Sequence, residues 1–237
     1  MRIKDLLFEQ ADFVTVNRRL NPKLWKNDSL QPEIKEQLIK IAKVFEEFIG
    51  INLEVIDYTI TGSNANYMWT EYSDLDLHII VKGLPDEKER ELYNAKKALW
   101  AEEHNITVKG LPVECYVQGA EEEHHSTGVY SLQTDQWLEK PKKIKPKIDD
   151  AAVKAKKNSL LHDIETALLS KDITKLRAVK QKISQMRKAG LEKAGEWSTE
   201  NLVFKILRNL GMIDKLTQEI RDLEDEELSL EQAAILQ

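Results

Sequence analysis

Between residues 32 and 50, apolar positions recur at helical spacing. Ile34, Leu38, Ile41, Ala42, Phe45 and Ile49 fall on one stripe. Pro32 suits the first helical position, Glu33 the positive end and Gly50 the stop. The pattern then shortens. LEVIDYTI reads as a strand ending at Thr61-Gly62-Ser63, and NANYMWTEY as a short helix or loop. DLDLHIIVKG alternates polar and apolar residues and predicts a second strand. Pro85 precedes a charged helix, DEKERELYNAKKALWAEEH, and LPVECYVQG is a further alternating strand closed by a glycine. Upstream, residues 1–31 read as an irregular arm anchored by Trp25.

Near residue 140 the character changes. KPKKIKPKIDD, lysine-rich with two prolines, reads as a linker or exposed crossover. No convincing strand follows it. Residues 149–169, 172–194, 199–210 and 212–226 predict four helices, with Gly190, Gly195 and Gly211 as breaks. The expected architecture is α+β, a sheet unit with flanking helices over 1–147 and an all-helical unit over 148–237.

A chain of 237 residues, 41% hydrophobic and 32% charged, can bury a sizeable core and has the composition of a soluble globular protein. Its net charge of −6 argues against non-specific coating of nucleic acid. Cys115 is the one cysteine, so no internal disulfide forms, and a cytoplasmic location is expected. The N-terminal residues lack the apolar run of a signal peptide, and no apolar stretch is long enough to span a membrane.

The chemistry concentrates in ITGSNANYMWTEYSDLDLHII. Acids are depleted in strands and costly to bury unpaired. Side chains alternate along a strand, so Asp74 and Asp76 share one face while Leu75, Leu77 and Ile79 anchor the other. In LPVECYVQG the same logic groups Glu114, Tyr116 and Gln118. If the two strands are neighbours, Glu114 joins the aspartates. Three clustered carboxylates need a counter-charge, and hard divalent cations with oxygen ligands, magnesium foremost, supply it. Two such ions about 3.5–4 Å apart can clamp the attacking and leaving oxygens of a phosphoryl-type displacement. Gly62 lets the backbone approach a ligand closely, Ser63 adds a hydroxyl, and a following helix N-terminus would favour an anion.

Gly62-Ser63, ten intervening residues, then Asp74-Leu75-Asp76-Leu77 with a later acid at Glu114 resembles the DNA polymerase beta-like nucleotidyltransferase superfamily. Ser73 before Asp74 matches a common variant of the motif, and Thr61 departs from it where a hydrophobic residue is usual. LNPKLWKNDSL, STGVYS and STENLVFKILRNLG also resemble segments of bacteriophage-encoded nucleotidyltransferases, whose location would be the host cytoplasm. The resemblance implies a nucleotidyltransferase-type mixed sheet. It implies that Gly62, Ser63 and Ser73 hold the triphosphate of a nucleotide such as ATP. Asp74, Asp76 and Glu114 would be catalytic and bind two magnesium ions, or manganese in their place. A nucleoside monophosphate would pass to an acceptor hydroxyl, with pyrophosphate released. Because such enzymes often close the cleft with a basic residue from a helical domain, Lys205 and Arg208, three apart on one helix face, are further nucleotide-binding candidates.

Other features carry less. His124-His125 has no second cluster at zinc-ligand spacing, and His125-Ser126-Thr127-Gly128 could instead line a pocket. Glu121, Glu122 and Glu123 read as a solvated run. The eight lysines between residues 140 and 157 could touch RNA or triphosphate, but no aromatics interleave them. The acceptor stays open among a small molecule, an RNA end, a protein and a nucleotide. The alternatives are a non-catalytic nucleotide-binding or interaction module on the same fold, and a toxin-like nucleotidyltransferase.

Overall fold

In a computed structural model the described residues are 16–122, 126–143 and 148–229. They form two compact units, Met1–Lys145 and Pro146–Gln237.

The first unit opens with a two-residue hairpin, β1 (Trp25–Lys26) and β2 (Ser29–Leu30), where an irregular arm was expected. Asn27 and Asp28 both have positive φ, as a two-residue hairpin turn requires. Trp25 is the expected anchor: it is buried, and its indole N–H donates to Asn64 O at 2.7 Å. Helix α1 (Pro32–Ile49) follows, with Pro32 in its first turn and Gly50 left-handed at its end. All six residues of the predicted stripe are buried.

Strand β3 (Val55–Thr61) leads through one 3-10 turn, Ser63–Ala65, to β4 (Leu75–Val81). Helix α2 (Glu87–Glu103) starts on a capping box between Asp86 and Glu89. Next come β5 (Thr107–Val108), β6 (Leu111–Gly119), β7 (Val129–Ser131) and β8 (Gln136–Glu139). Sequence periodicity gives no sign of β5, β7 and β8, which are too short to show alternation. The sheet order is β5-β6-β4-β3-β7-β8. Among the described strands only β4 and β6 run parallel, and α2 is the crossover that parallel neighbours require. The sheet is therefore mixed, with α1 packed against β4 and α2 against β6. The apolar face of β4 is fully buried at Leu75, Leu77 and Ile79, and Phe45, Phe48 and Trp100 form an aromatic cluster within the helical layer.

The second unit is all-helical among the described residues: α3 (Asp150–Ser170), α4 (Ile173–Ala194), α5 (Thr199–Asn209) and α6 (Met212–Leu228). Asp149, Asp172 and Ser198 cap the first three. Its buried positions include Leu160, Ile164, Leu176, Ile183, Leu202, Val203, Leu207, Leu216 and Ile220. Gly190 does not break its helix. It sits inside α4, where a Cβ would fall 2.8 Å from Ser198 Oγ, so glycine there permits close approach to the start of α5. No helix among the described residues is long and apolar enough to cross a membrane.

Candidate active site

The sheet register builds the site. Asp76 lies directly beside Glu114 across the parallel β4–β6 pair and opposite Thr61 across the antiparallel β3–β4 pair. Asp74 immediately precedes β4. One carboxylate oxygen from each of Asp74, Asp76 and Glu114 lies within 4.8 Å of the other two, and all three residues are half-buried. The arrangement is open enough for water to reach and closed enough for the charges to act on one another.

Glu114 has further partners. Lys97, from α2, places Nζ 3.0 Å from Glu114 Oε2, and the Tyr116 hydroxyl donates to the same oxygen at 2.6 Å. Burial pushes the Glu114 carboxyl up. The Tyr116 hydroxyl, the Lys97 ammonium and the contact with Asp74 outweigh it, and hold its pKa at about 2, well below the ordinary carboxyl value of 4.5. Glu114 is thus a carboxylate throughout the neutral range. Burial, followed by the charges of Asp76, Glu114 and Asp74, drives the Tyr116 phenol far above its ordinary value, so it stays a donor.

A polar row continues down the same face. His78 stacks on Tyr116 with ring centroids 4.7 Å apart. Its Nδ1 lies 2.7 Å from Gln118 Oε1 and its Nε2 lies 3.1 Å from Thr61 Oγ1, so the ring bridges β6 and β3. This accounts for the departure at position 61. Thr61 is buried, and its hydroxyl serves the row beneath the carboxylates where the motif usually has a hydrophobic side chain.

The glycine-serine turn abuts the triad. Gly62 has φ 72° and ψ −162°, and a Cβ there would collide with the Asp76 carboxylate. Its amide donates to Ser126 Oγ at 3.1 Å. Ser63 donates its hydroxyl to Ser73 Oγ at 2.9 Å, and the Thr70 amide donates to that same oxygen. Ser73 is buried, so its hydroxyl braces the loop. Directly after Gly62 the chain makes a single 3-10 turn, Ser63–Ala65. The helix-dipole contribution expected there is absent, because three residues sum too few aligned peptide dipoles.

Sequence reasoning missed Asn64. Fully buried, it donates to the backbone oxygens of Ser73 (3.2 Å) and Asp74 (2.7 Å) and accepts from Asn21 Nδ2 at 2.7 Å. It thereby ties the N-terminal segment to the backbone that presents Asp74. Lys97 was also missed, whereas Ser126, among the residues read as able to line a pocket, does reach the Gly62 amide. An asparagine two residues after the glycine is a local signal; Lys97 depends on tertiary placement. Lys205 and Arg208 lie on α5 of the helical unit, both half-buried. Glu121 is exposed, as a solvated run would be, but Glu122 is half-buried and pairs with Arg90. Glu123, His124 and His125 lie outside the described residues.

Residues 38–226 match the profile described as Nucleotidyltransferase domain. Two solved structures show distant likeness. One is the STING-associated CdnE c-di-GMP synthase from Capnocytophaga granulosa, at 12% identity over 84% of this chain and 83% of that one, with a TM-score of 0.22. The other is the spectinomycin adenyltransferase AAD(9) from Enterococcus faecialis, with ATP and spectinomycin, at 13% identity over 82% of this chain and 100% of that one, with a TM-score of 0.24. Among curated proteins none matches significantly. The matched profile takes in the turn, both acid-bearing strands and most of the helical unit, and on that extent the chain belongs to the nucleotidyltransferase domain family, within the polymerase beta-like superfamily, as an enzyme of that class.

Proposed function

We propose that the chain transfers a nucleoside monophosphate from a nucleoside triphosphate to an acceptor hydroxyl, with Asp74, Asp76 and Glu114 holding divalent cations. The observation that carries this reading is the convergence of three carboxylates, from the end of one loop and two parallel strands, within 4.8 Å. The donor set fits the group. Every ligand atom is a hard carboxylate oxygen and, among the described residues, no thiolate or imidazole joins them, which suits magnesium, with manganese as substitute. Bound there, two ions would supply Lewis-acid polarisation and neutralise the triphosphate.

The chain's own residues then have defined tasks. Asp74 and Asp76 face the nucleotide, and Glu114 faces the acceptor. Gly62 and Ser63, now bonded to Ser126 and Ser73, would exchange those partners for oxygens of the triphosphate. Ser73 supports that turn from beneath. The acceptor oxygen forms a bond to the α-phosphorus, the bond from that phosphorus to the bridging oxygen breaks, and pyrophosphate leaves with the electron pair. The acceptor's proton passes to solvent. We take the catalytic core as residues 1–147 and the helical domain as 148–237, with Lys205 and Arg208 as its candidates for contact with phosphate.

The test uses purified full-length protein, magnesium, each α-labelled triphosphate in turn and a cell lysate as the source of acceptor. Label should pass to one class of molecule. Asp76→Asn should cut transfer by about a thousandfold while the far-UV circular dichroism stays unchanged. Turnover near the wild-type rate in that variant rejects the assignment.

A further inference from the structure

One strong interaction at the edge of the triad has no role in the transfer just described. Lys97 Nζ lies 3.0 Å from Glu114 Oε2 and 3.5 Å from the centroid of the Tyr116 ring. Tyr116 in turn donates to the same carboxylate oxygen. A charge-assisted hydrogen bond and a cation–π contact therefore hold one ammonium group beside one of the three carboxylates. The crossover helix α2 delivers it, so the same connection that makes β4 and β6 parallel also brings the cation. Its side chain is 28% exposed, within reach of water and dissolved ions.

The charges decide what this does. Three carboxyl groups crowd one point, and Lys97 brings a single positive charge to one of them. In the cation-free protein the ammonium relieves repulsion among Asp74, Asp76 and Glu114 and fixes one oxygen of Glu114. A divalent ion arriving at the same carboxylate meets a like charge a few ångströms away, and that repulsion subtracts from its affinity.

We propose that Lys97 is a resident counter-cation of the triad: it positions Glu114 when no metal is bound and weakens divalent-cation binding at that end of the site. The inference rests on the reading that the triad holds metals, and deepens it. Lys97 acts through Glu114 and is a positioning residue. Replacing it with a neutral side chain removes both the clamp and the repulsion, and tightens divalent binding by about tenfold, taking the water-like end of Coulomb's law for a partly exposed pair.

The experiment is a manganese titration of the nucleotide-free, full-length protein, with free manganese followed by electron paramagnetic resonance. Lys97→Met should bind manganese about tenfold more tightly than wild type. Lys97→Gln, polar but neutral, should do the same and guards against a misfolded methionine variant. Lys97→Arg, which keeps the charge, should stay within about twofold of wild type. Neutral variants with wild-type or weaker affinity, while wild type binds, overturn the role of Lys97 and leave the metal-binding triad standing. A shift in Lys97→Arg as large as in Lys97→Met makes the effect one of shape and also overturns it. If no form binds manganese, the triad reading and this inference fall together.

Discussion

Gly62→Ala tests how tightly the turn and the triad are built as one unit. Gly62 occupies a backbone region essentially reserved for glycine, at φ 72° and ψ −162°, and a side chain there costs about 1–3 kcal/mol in backbone strain alone. The added Cβ would also overlap the Asp76 carboxylate, falling 2.8 Å from its Cγ. Thr61 is paired with Asp76 in the β3–β4 ladder, so neither strand yields without losing hydrogen bonds. The Asp76 side chain must instead leave its rotamer, for about 0.5–1.5 kcal/mol more. The total is about 1.5–4.5 kcal/mol. Cys115 provides the assay. It is 1% exposed and alone of its kind, and burial foremost pushes its thiol up to about 12, so it stays unreactive until the sheet opens. Urea-dependent labelling by an aromatic disulfide therefore reads the stability of the sheet unit. Asp76→Ala separates the two contributions: it removes the collision and leaves the backbone strain. Gly62→Ala should thus cost about 1 kcal/mol less in the Asp76→Ala background than in wild type. Wild-type labelling of Gly62→Ala, or an equal penalty in both backgrounds, would refute the claim that the turn and the carboxylate share one space.

Two further outcomes probe each unit separately. Trp25 fills a buried position against Tyr130 and Trp137 and donates to Asn64 O; Trp25→Ala should cost about 3–5 kcal/mol, and Trp25→Phe, which keeps most of the ring but strands that carbonyl, about 1–3 kcal/mol, both read by Cys115 labelling. In the helical unit, the hydrogen bond from Lys156 chiefly holds the Glu200 carboxyl below its ordinary value, against a smaller push upward from burial. A carboxyl depressed in the folded state adds stability above its unfolded pKa and loses it as pH falls through the folded one. Wild type should therefore lose more Tm than Lys156→Met between about pH 5 and about pH 3, by the equivalent of about 0.5 kcal/mol for this partly exposed pair. Parallel pH profiles would remove the ion pair from the account.

The legible parts of this protein are those in which a single physical demand repeats along the chain. The stripe from Ile34 to Ile49 and the alternation from Leu75 to Val81 each state one face many times over, and both are buried as read. The four C-terminal helices announce themselves through caps and glycine stops, except that Gly190 answers to helix packing and not to termination. Strands of two to four residues, such as Val129–Ser131, cannot repeat a pattern enough to be seen and exist because a neighbour supplies their hydrogen bonds. The site divides in the same way. Asp74 and Asp76 are tied by strand parity, which is local. Glu114 joins them through a parallel pairing that no local pattern encodes; strand parity reaches it only on the supposition that β4 and β6 are adjacent, and the register sets Asp76 directly beside it. Lys97 was out of reach of either argument. It stands seventeen residues before Glu114 on a helix whose exposed face is crowded with charge, and nothing in α2 separates it from its neighbours Lys88 and Lys96. Only the angle at which the crossover lies on the sheet selects it. A cation delivered by the crossover is thus a property of the topology, and whether it tempers the metal site is decided by charge at 3.0 Å and not by any motif.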